Sequence, residues 1–546
     1  MILAVFSTAA AFVPATWLPL TILAVPLIGV IGGMLLPPRM RGKTWGLGVS
    51  GSTLMIAISM ALQYNWAKGG YQFVIHGPKL EQIGFQFSLG LDQISLMLVL
   101  LTAALHPLAV TASLRSVHMR SREHYTNMNL LLVFMLGTFM ATDLLLFYAF
   151  FEASLVPLFF IVGIWGGKER RRAAVTLFLY TFAGSVFMLA AVVYIGMRVG
   201  TFDLESVIRF AQEHMDARER FWVLLGFLAA FGVKTPLFPL HTWLPLAHTE
   251  APTAGSVDLA ALVLKLGTYG LLKSAMPIGL LTVDGQVLFP VVLQVLAVLC
   301  LIGIIYAALV AWVQTDIKKI IAYSSVSHLG FCVLGMLSLT PEGMQGSVLY
   351  MINHGITSGA LFLLVGMIYN RYHTRDIREL SGLAKAMPRL GFFMILFVMA
   401  AVGLPGLNGF VSEFLTILGA FTSVHLGVVY GTIAAIGIIL GAAYMLRFGS
   451  NLLFGPLHYP LLHEDREGHQ TVHPKYVPGG DITNREVLVL TPLAIAVVVL
   501  GIFPSYLTRA VQGPLENIRH ASVARAVDPH AAPLAAVPVA SVEARK

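Results

Sequence analysis

Four charged residues lie inside long apolar runs of this 546-residue sequence, where a membrane span would bury them. A charged side chain at the centre of a span costs roughly 2.5–3.5 kcal/mol on the insertion scale, so such residues are kept where they pair, are hydrated or carry ions. Carboxylates and amines that exchange protons are the groups of which membrane proton relays are made. The four candidates for catalytic steps in proton translocation are Glu152, Lys234, Lys265 and Glu413.

Lys234 is followed directly by Thr235 and Pro236. Proline has no N–H, so the carbonyl of Gly232 is expected to lose its helical partner and to face water or a cation near the ammonium. Desolvation makes an ammonium easier to deprotonate, and a nearby carboxylate opposes that effect. We therefore expect Glu152 and Lys234 to form a pair whose proton affinity can be tuned. The alternative for Lys234 is snorkelling to the membrane surface, which suits residues near helix ends.

Glu413 follows the segment Gly403–Gly409, in which glycine, proline and asparagine predict a second break in a helix. Unwound backbone at membrane depth is tolerated where it lines a wet cavity, so Glu413 would accept a proton beside water. The alternative is a helix cap that follows Ser412. Breaks of this kind in both Lys234- and Glu413-containing helices predict an ion-transport site near the bilayer midplane.

Histidines supply further relay candidates, because the reference pKa of histidine is about 6.5. His328 and His354 lie in the middle of apolar runs, and His241 and His248 follow the first broken helix as secondary relay candidates. For any one of these histidines, a purely structural hydrogen bond is the alternative. Their position in sequence between the two broken helices favours a relay.

Composition identifies the kind of protein that must position these residues. Hydrophobic residues make up 57% of the chain and charged residues 11%, against roughly 25% charged in soluble domains. Mean hydropathy is +0.80. These values exclude a soluble domain and a disordered chain and predict a polytopic membrane protein. Cys300 and Cys332 lie in apolar runs without a CxxC pattern, which argues against an iron–sulfur or zinc site.

Apolar runs of the length that crosses a bilayer, about 20 residues, number about fourteen. The expected fold class is therefore all-α and polytopic. The predicted limits are 17–36, 45–63, 90–114, 127–142, 143–165, 173–197, 220–240, 253–276, 287–312, 317–339, 345–370, 389–421, 425–454 and 486–508.

Basic residues concentrate in the loops after odd-numbered spans, for example in the clusters Lys168–Arg172 and Arg371–Arg378. The positive-inside rule places these loops in the cytoplasm and both termini on the outer side. The net charge of +8 is thus interpreted as a topology signal rather than as a nucleic-acid-binding surface.

The sequence also contains a weak internal similarity. Phe182–Leu189 (FAGSVFML) and Thr357–Leu364 (TSGALFLL) are alike at an offset near 175 residues, and the two proline-interrupted helices fall at a similar offset. Chance similarity between apolar segments is the alternative. Paired helix breaks favour a true repeat.

Several segments together resemble the antiporter-like membrane subunits of respiratory complex I, the proton-translocating NADH:quinone oxidoreductase. They resemble most closely the NuoM type, which corresponds to the mitochondrial fourth NADH-dehydrogenase subunit. The resemblance covers nearly all of residues 90–450. It rests on the segments FYAFFEASLVPLFF, FGVKTPLFPLHTWLPLAHTEAPTAGSVDLAALVLKLGTYGLL, IAYSSVSHLGF, MINHGITSGALF and GLPGLNGFVSEF.

The resemblance implies fourteen helices with two inverted five-helix repeats and two broken helices. It implies the divisions 1–126 (helices 1–3), 127–276 (first repeat), 287–454 (second repeat), 455–485 (a cytoplasmic polar loop), 486–508 (helix 14) and 515–546 (a flexible tail). By motif, Glu152, Lys234, Lys265 and Glu413 match the glutamate of helix five, the lysines of helices seven and eight and the glutamate of helix twelve. His328 and His354 match polar residues of the central axis.

The function that the resemblance implies is proton translocation driven by quinone reduction elsewhere in the complex. This chain would hold no cofactor, while NADH, FMN, iron–sulfur clusters and quinone would be bound by other subunits. The implied partners are the L-type and N-type antiporter-like subunits and lipids, and the implied location is the bacterial inner membrane.

Three alternatives remain at this point. They are a subunit of a sodium or potassium/proton antiporter, a subunit of a membrane-bound hydrogenase complex, and a membrane scaffold whose charges only hold helices together. Antiporter relatives usually carry lysine where this chain has Glu413, which argues against the first.

Overall fold

The computed structural model describes residues 14–35, 42–459, 462–464, 470–472 and 480–519. The first half contains a hairpin, β1 Gln72–Leu80 and β2 Phe85–Leu91, and helices α1 Leu18–Leu35, α2 Gly42–Gln63, α3 Gln93–Ser113, α4 Ser121–Met140, α5 Leu144–Ala153, α6 Leu155–Trp165, α7 Arg170–Val199, α8 Leu204–His214, α9 Ala217–Lys234, α10 Trp243–Glu250, α11 Thr253–Asp258 and α12 Leu264–Gly270. Two π-helical segments, Leu259–Val263 and Leu271–Leu280, flank α12 and continue its helix.

The second half is also mainly helical. Its helices are α13 Pro290–Val313, α14 Ile317–Leu337, α15 Pro341–Tyr372, α16 Leu383–Ala386, α17 Pro388–Val402, α18 Asn408–Thr422, α19 Val428–Leu453, α20 Asn484–Ile502 and α21 Ser505–Arg519, with a 3-10 turn at Ile377–Glu379 and short strands β3 Leu462–Glu464 and β4 Gln470–Val472.

The predicted all-α polytopic fold is confirmed. Eleven helices of the described residues are long and apolar enough to cross a membrane. The three other predicted spans are also helical, as α4, as α9 and as the pair α17 and α18. The pair is too short in each half to qualify alone, because the chain breaks between them. The count of fourteen spans therefore stays a prediction.

The hairpin β1–β2 is a feature that the sequence analysis did not predict. Its strands pair antiparallel, and Gly84 turns the chain with a φ of +74°, a conformation that glycine adopts without steric cost. The hairpin packs on the start of the fifth predicted span, since the N–H of Gln86 donates to the Asp143 carboxylate at 3.0 Å.

Two matching contacts indicate the internal repeat. Asp143 forms an isolated antiparallel bridge with Asp203, and Asp316 forms the same bridge with Asp376. In each pair the first aspartate caps a helix by accepting backbone N–H groups of its first turn. Asp143 and Asp316 are 173 residues apart, as are Asp203 and Asp376, close to the offset of 175 in the sequence.

The two basic clusters lie at one common end of the helices. The N–H of Gly167 donates to the Glu250 carbonyl at 2.8 Å, and Arg375 donates to the carbonyl of Thr249, the neighbouring residue. Asp143, with the hairpin, lies at the other end of the same 22-residue span that ends at Trp165. The clusters therefore share one face of the membrane, as the charge pattern requires.

Three helical segments form the centre of the protein. The apolar 18-residue centres of the spans Thr253–Leu280 and Pro341–Tyr372 are wholly buried inside it, and that of Ile317–Leu337 is nearly so, whereas only 22% of the corresponding part of Asn484–Ile502 is buried. A helix that is apolar all round is expected in such a central position. These central segments carry Lys265, His328 and His354, so the polar candidates lie inside the protein and away from lipid.

One predicted boundary needs correction. Residues 515–519, assigned to a flexible tail, form the end of α21, which is strongly amphipathic and buries Val511 and Leu515. Residues 520–546 of the predicted tail, and residues 460, 461, 465–469 and 473–479 of the predicted loop 455–485, lie outside the described residues.

Candidate functional site

The first predicted break is present, and Lys234 is the last residue of α9 before it. The chain leaves helical geometry until α10 begins at Trp243. The expectation of a free Gly232 carbonyl was wrong, because the N–H of Leu237 donates to it at 2.9 Å. The turn around Pro236 thus satisfies the carbonyl that proline would otherwise leave open.

The ammonium of Lys234 is buried and has a serine as its direct partner. Its Nζ donates to Oγ of Ser154 at 3.3 Å and lies 4.7 Å from the centre of the Phe151 ring. Glu152 does not form an ion pair with Lys234 here; Oε2 of its carboxylate is buried without a hydrogen-bond partner. The Lys234 ammonium and the Ser185 hydroxyl are the electrostatic neighbours of this carboxylate. The two predicted partners are thus neighbours without direct contact.

Lys265 is fully buried in the short α12 between the two π-helical segments. Its ammonium donates to the carbonyl of Ala260 at 2.6 Å and lies 2.7 Å from Nδ1 of His354 on α15. π-Helical turns inside α-helices occur frequently at functional sites. Here the wide turn at Leu259–Val263 provides the carbonyl that, with the imidazole, holds the ammonium.

Gly267 brings the two lysine-bearing segments together. A Cβ atom added to Gly267 would lie 2.5 Å from Oγ1 of Thr235 and 3.1 Å from Cβ of Lys234, so only glycine permits this approach. The Thr235 hydroxyl is buried without a hydrogen-bond partner. A buried hydroxyl without a partner is a position for water, and this one lies between Lys234 and the Lys265 helix.

From His354 a row of polar side chains leads to Glu413. The rings of His354 and His328 are 5.7 Å apart, and the ring of Tyr350 lies 5.9 Å from that of His328. The hydroxyl of Tyr350 donates to Oε1 of Glu413 at 3.2 Å. The row Lys265, His354, His328, Tyr350 and Glu413, called the central row below, connects the two halves of the protein.

A small cavity follows the central row. It is lined by His328, Tyr350, His354 and Glu413 together with Asn353 and small residues, and its volume is about 20 Å³. This volume suffices for about one water molecule, and the lining supplies several polar partners for it. Water in the cavity would close the gaps between groups that are not in direct contact.

The second predicted break, at Gly403–Gly409, is also present, between α17 and α18. Gly403 has a φ of +79°, and a Cβ atom there would overlap Oε2 of Glu413. Asn408, at the start of α18, exchanges hydrogen bonds with Asn353 of α15 at 2.8 and 3.2 Å. The break therefore opens space for the Glu413 carboxylate and is tied to the central helix.

The two secondary histidines are in different places. His241 stacks near Phe238 and Tyr306, with ring centres 5.7 and 5.5 Å away, rather than against the buried charges. His248 is fully buried and stacks on Phe362 at 4.7 Å, and Lys265 and Lys318 are its electrostatic neighbours. The structure thus associates His248, and not His241, with the central row.

Sequence analysis missed three polar groups of the site, namely Ser154, Tyr350 and Lys318. A signal existed for Tyr350, since it precedes His354 by four residues and so lies on the same face of a helix. Ser154 follows Glu152 by two residues and carried no comparable signal. Lys318 is the second residue of its helix, where lysines are usually solvated, and so carried no signal either.

Helices that could span a membrane enclose a buried row of lysine, histidine and glutamate side chains. Two of these spans are broken, one beside Lys234 and the other beside Glu413. This fold and site define an antiporter-like membrane protein. The chain belongs to the family described as NADH:quinone oxidoreductase/Mrp antiporter, TM, whose model matches residues 141–449.

Individual relatives support the same assignment. NADH-quinone oxidoreductase subunit M of Rhodobacter capsulatus is 40% identical over 510 residues, which are 91% of this chain and 94% of the relative. NADH-ubiquinone oxidoreductase chain 4 of Marchantia polymorpha is 36% identical over 503 residues, 91% and 96% of the two chains.

Solved structures agree with these relatives. A chain of respiratory complex I from Thermus thermophilus superposes with a TM-score of 0.78 at 31% identity, covering 91% of this chain and 99% of that one. A chain of the Mrp complex from Dietzia superposes with a TM-score of 0.80 at 20% identity, covering 93% and 98%, and shows the shared fold alone.

Proposed function

We propose that this chain is a proton-translocating, antiporter-like subunit of NADH:quinone oxidoreductase. The observation that carries the proposal is the central row, which joins Lys265 to Glu413 through His354, His328 and Tyr350. The family membership and the similarity to subunit M relatives support it. Lysine, histidine and glutamate side chains can carry protons but not electrons. The free energy for translocation is therefore expected from quinone reduction in other subunits. Those subunits would bind NADH, FMN, iron–sulfur clusters and quinone.

In this proposal Glu152 and Lys234 set the first step. When the Glu152 carboxylate approaches the ammonium it stabilises the protonated lysine, and when it withdraws or is neutralised the lysine releases its proton. Ser154, which accepts a hydrogen bond from the ammonium, is the nearest group that can share this proton. Water beside Thr235 would bridge toward Lys265.

The later steps follow the central row. Lys265 passes a proton to His354, the two histidines exchange it, and the cavity water with the Tyr350 hydroxyl delivers it to Glu413. Glu413 then releases it to the outer side. Each transfer joins a group that can lose a proton to one that can gain it, so the row needs no cofactor of its own.

The proposal includes neighbours and orientation. The L-type and N-type antiporter-like subunits and lipids are the expected partners in a bacterial inner membrane. The face that carries Lys168–Arg172 and Arg371–Arg378 would be cytoplasmic, with both termini on the outer side. A cysteine placed near residue 170 should then resist labelling from outside the intact cell.

The central test is proton pumping by the purified complex in liposomes, with NADH oxidation measured in parallel. Lys234→Arg keeps the charge, but arginine does not release its proton under these conditions. It should therefore impair pumping about as badly as Lys234→Ala, while Lys385→Ala, at an exposed lysine, should pump normally. Glu152→Asp should be milder than Glu152→Gln.

Full pumping by Lys234→Arg in an assembled complex would show that this lysine need not release a proton, and the mechanism would be wrong. Normal assembly with lost pumping would exclude a pure scaffold. Pumping that requires sodium or potassium in the lumen would instead support the cation/proton antiporter alternative.

A further inference from the structure

Another buried ammonium, besides those of Lys234 and Lys265, lies at the end of the protein that carries the basic clusters. Lys318 is only 5% exposed, and its Nζ donates to the carbonyl of Ala251 at 2.5 Å. Ala251 directly follows the last residue of α10. The backbone carbonyls at the C-terminus of a helix carry a partial negative charge, which favours a nearby cation. The charged groups around Lys318 are Asp316, Glu250 and Arg375.

The bridge between Asp316 and Asp376 does not need this ammonium. In the matching bridge of the first repeat, the residue two positions after Asp143 is Leu145, and its backbone N–H donates to the aspartate just as that of Lys318 does. The lysine side chain is therefore an addition found in the second repeat and not in the first. Arg375, 3.5 Å from Asp316, already supplies a permanent positive charge.

His248 lies on α10, three residues before Ala251, whose carbonyl accepts from Lys318. Both of its ring nitrogens are buried without a hydrogen-bond partner, although buried polar atoms are nearly always paired. Lys318 and Lys265 are both its electrostatic neighbours, and so is His354. A buried histidine with two unpaired ring nitrogens and two amines as electrostatic neighbours can take up water or protons.

We propose that Lys318 is a proton-uptake group of this subunit and that it loads Lys265 through His248, in addition to the supply through Lys234. This inference rests on the proposed function and names the end of the protein at which protons are taken up. Asp316 and Arg375, which are about one quarter exposed or less, form the outer boundary of this route. Glu250, the residue before Ala251, accepts from the Glu169 N–H at 2.9 Å through its carboxylate.

The transfer proceeds in three steps. Hydronium at the boundary gives a proton to the neutral amine of Lys318, which forms an N–H bond and leaves water. The ammonium then gives one proton to a ring nitrogen of neutral His248 and returns to the amine. The resulting imidazolium gives a proton to the neutral amine of Lys265 and returns to imidazole.

The test uses the whole complex in liposomes and compares adjacent lysines. Lys318→Met and Lys318→Arg should each lower the rate of proton pumping about tenfold or more, in the range expected when a proton-transfer group is lost. Lys319→Met removes the same charge one position further along and should pump normally. NADH oxidation with an artificial electron acceptor checks that each complex is assembled.

The arginine variant separates proton transfer from a merely structural role. An arginine can hold the Ala251 carbonyl but cannot release a proton, so normal pumping by Lys318→Arg would overturn the inference. If Lys318→Met fails to assemble, Lys318→Arg and His248→Gln decide, and both should lose pumping, while His118→Gln, at an exposed histidine, should not.

Lys234→Ala distinguishes this inference from the proposed function. If Lys234→Ala loses pumping and Lys318→Arg keeps it, only the uptake route is wrong. If Lys234→Ala also pumps normally, the proposed function fails with it.

Discussion

Nζ of Lys265 lies 2.7 Å from Nδ1 of His354, and both groups are buried. At this distance Nδ1 must accept when lysine is protonated, and when lysine is neutral the lone pair of its amine can accept from a protonated Nδ1. Two positive charges at this separation would repel each other strongly in a poorly solvated site. The contact can therefore hold one proton in either of two places, and this makes it a proton-exchange contact between two helices.

His354→Gln tests this exchange. Glutamine can accept a hydrogen bond from Lys265 but cannot carry a proton between helices, so the complex should assemble while pumping falls about tenfold or more. The measurement is pumping in liposomes beside NADH oxidation. His118→Gln at an exposed position is the matched control. Unchanged pumping in His354→Gln would mean that Lys265 delivers its proton by another path.

Tyr350→Phe tests the last link of the central row. The variant keeps the ring stacked on Phe331 but removes the hydroxyl that donates to Glu413. We expect pumping to fall severalfold and the stability to drop by about 1–3 kcal/mol, the cost of leaving a buried acceptor without its donor.

Tyr506→Phe is the control for this hydroxyl, because the Tyr506 side chain is 78% exposed and lies outside the central row. This substitution should change neither proton pumping nor stability. Equal effects of the two substitutions would show that the Tyr350 hydroxyl has no special part in the row.

Gly403→Ala tests the second helix break. The positive φ of this residue strains any other side chain by about 1–3 kcal/mol, and the new methyl group would collide with the Glu413 carboxylate. Proton pumping should fall more than the amount of assembled complex, because the displaced Glu413 carboxylate loses its hydrogen bond from Tyr350. Gly441→Ala, at a helical glycine with open space beside it, should be neutral. A fully active Gly403→Ala would indicate that Glu413 needs no such space.

The limits of prediction from sequence are visible in particular residues. Both breaks were predictable, because the proline after Lys234 interrupts a helix and the glycines and proline before Glu413 disfavour one. The contact between Lys265 and His354 was not, because it joins residues 89 positions apart through a π-helical turn without a sequence signature. Hydrophobic periodicity and composition describe one helix at a time, whereas the central row is formed by side chains of different helices.

The same limit applies to groups outside the central row. Lys273 forms a 2.5 Å ion pair with Asp92, and its side chain is only 12% exposed. Asp258 makes no capping hydrogen bond, and its Oδ2 lies 3.1 Å from Nδ1 of His106. Asp92 directly precedes α3, and His106 lies on it. Nothing in the local sequence of Lys273 or Asp258 points to these partners.

The pair of His106 and Asp258 gives the last prediction. Both side chains are fully buried, so removal of one partner leaves the other uncompensated in a poorly solvated site, at a cost of about 3–5 kcal/mol. His106→Leu and Asp258→Leu should each lower the temperature at which the assembled complex loses NADH oxidation. Replacement of both partners by apolar side chains removes the buried polarity altogether and is often close to neutral.

The double variant should therefore be more stable than either single variant, which is the signature of a directly coupled pair. Because neither residue belongs to the central row, pumping per electron should be unchanged in the double variant wherever the complex remains assembled. Stability losses that simply add would show that the two side chains do not interact. Lost pumping in a stable double variant would place the pair in the proton path, in parallel with the contact between Lys265 and His354.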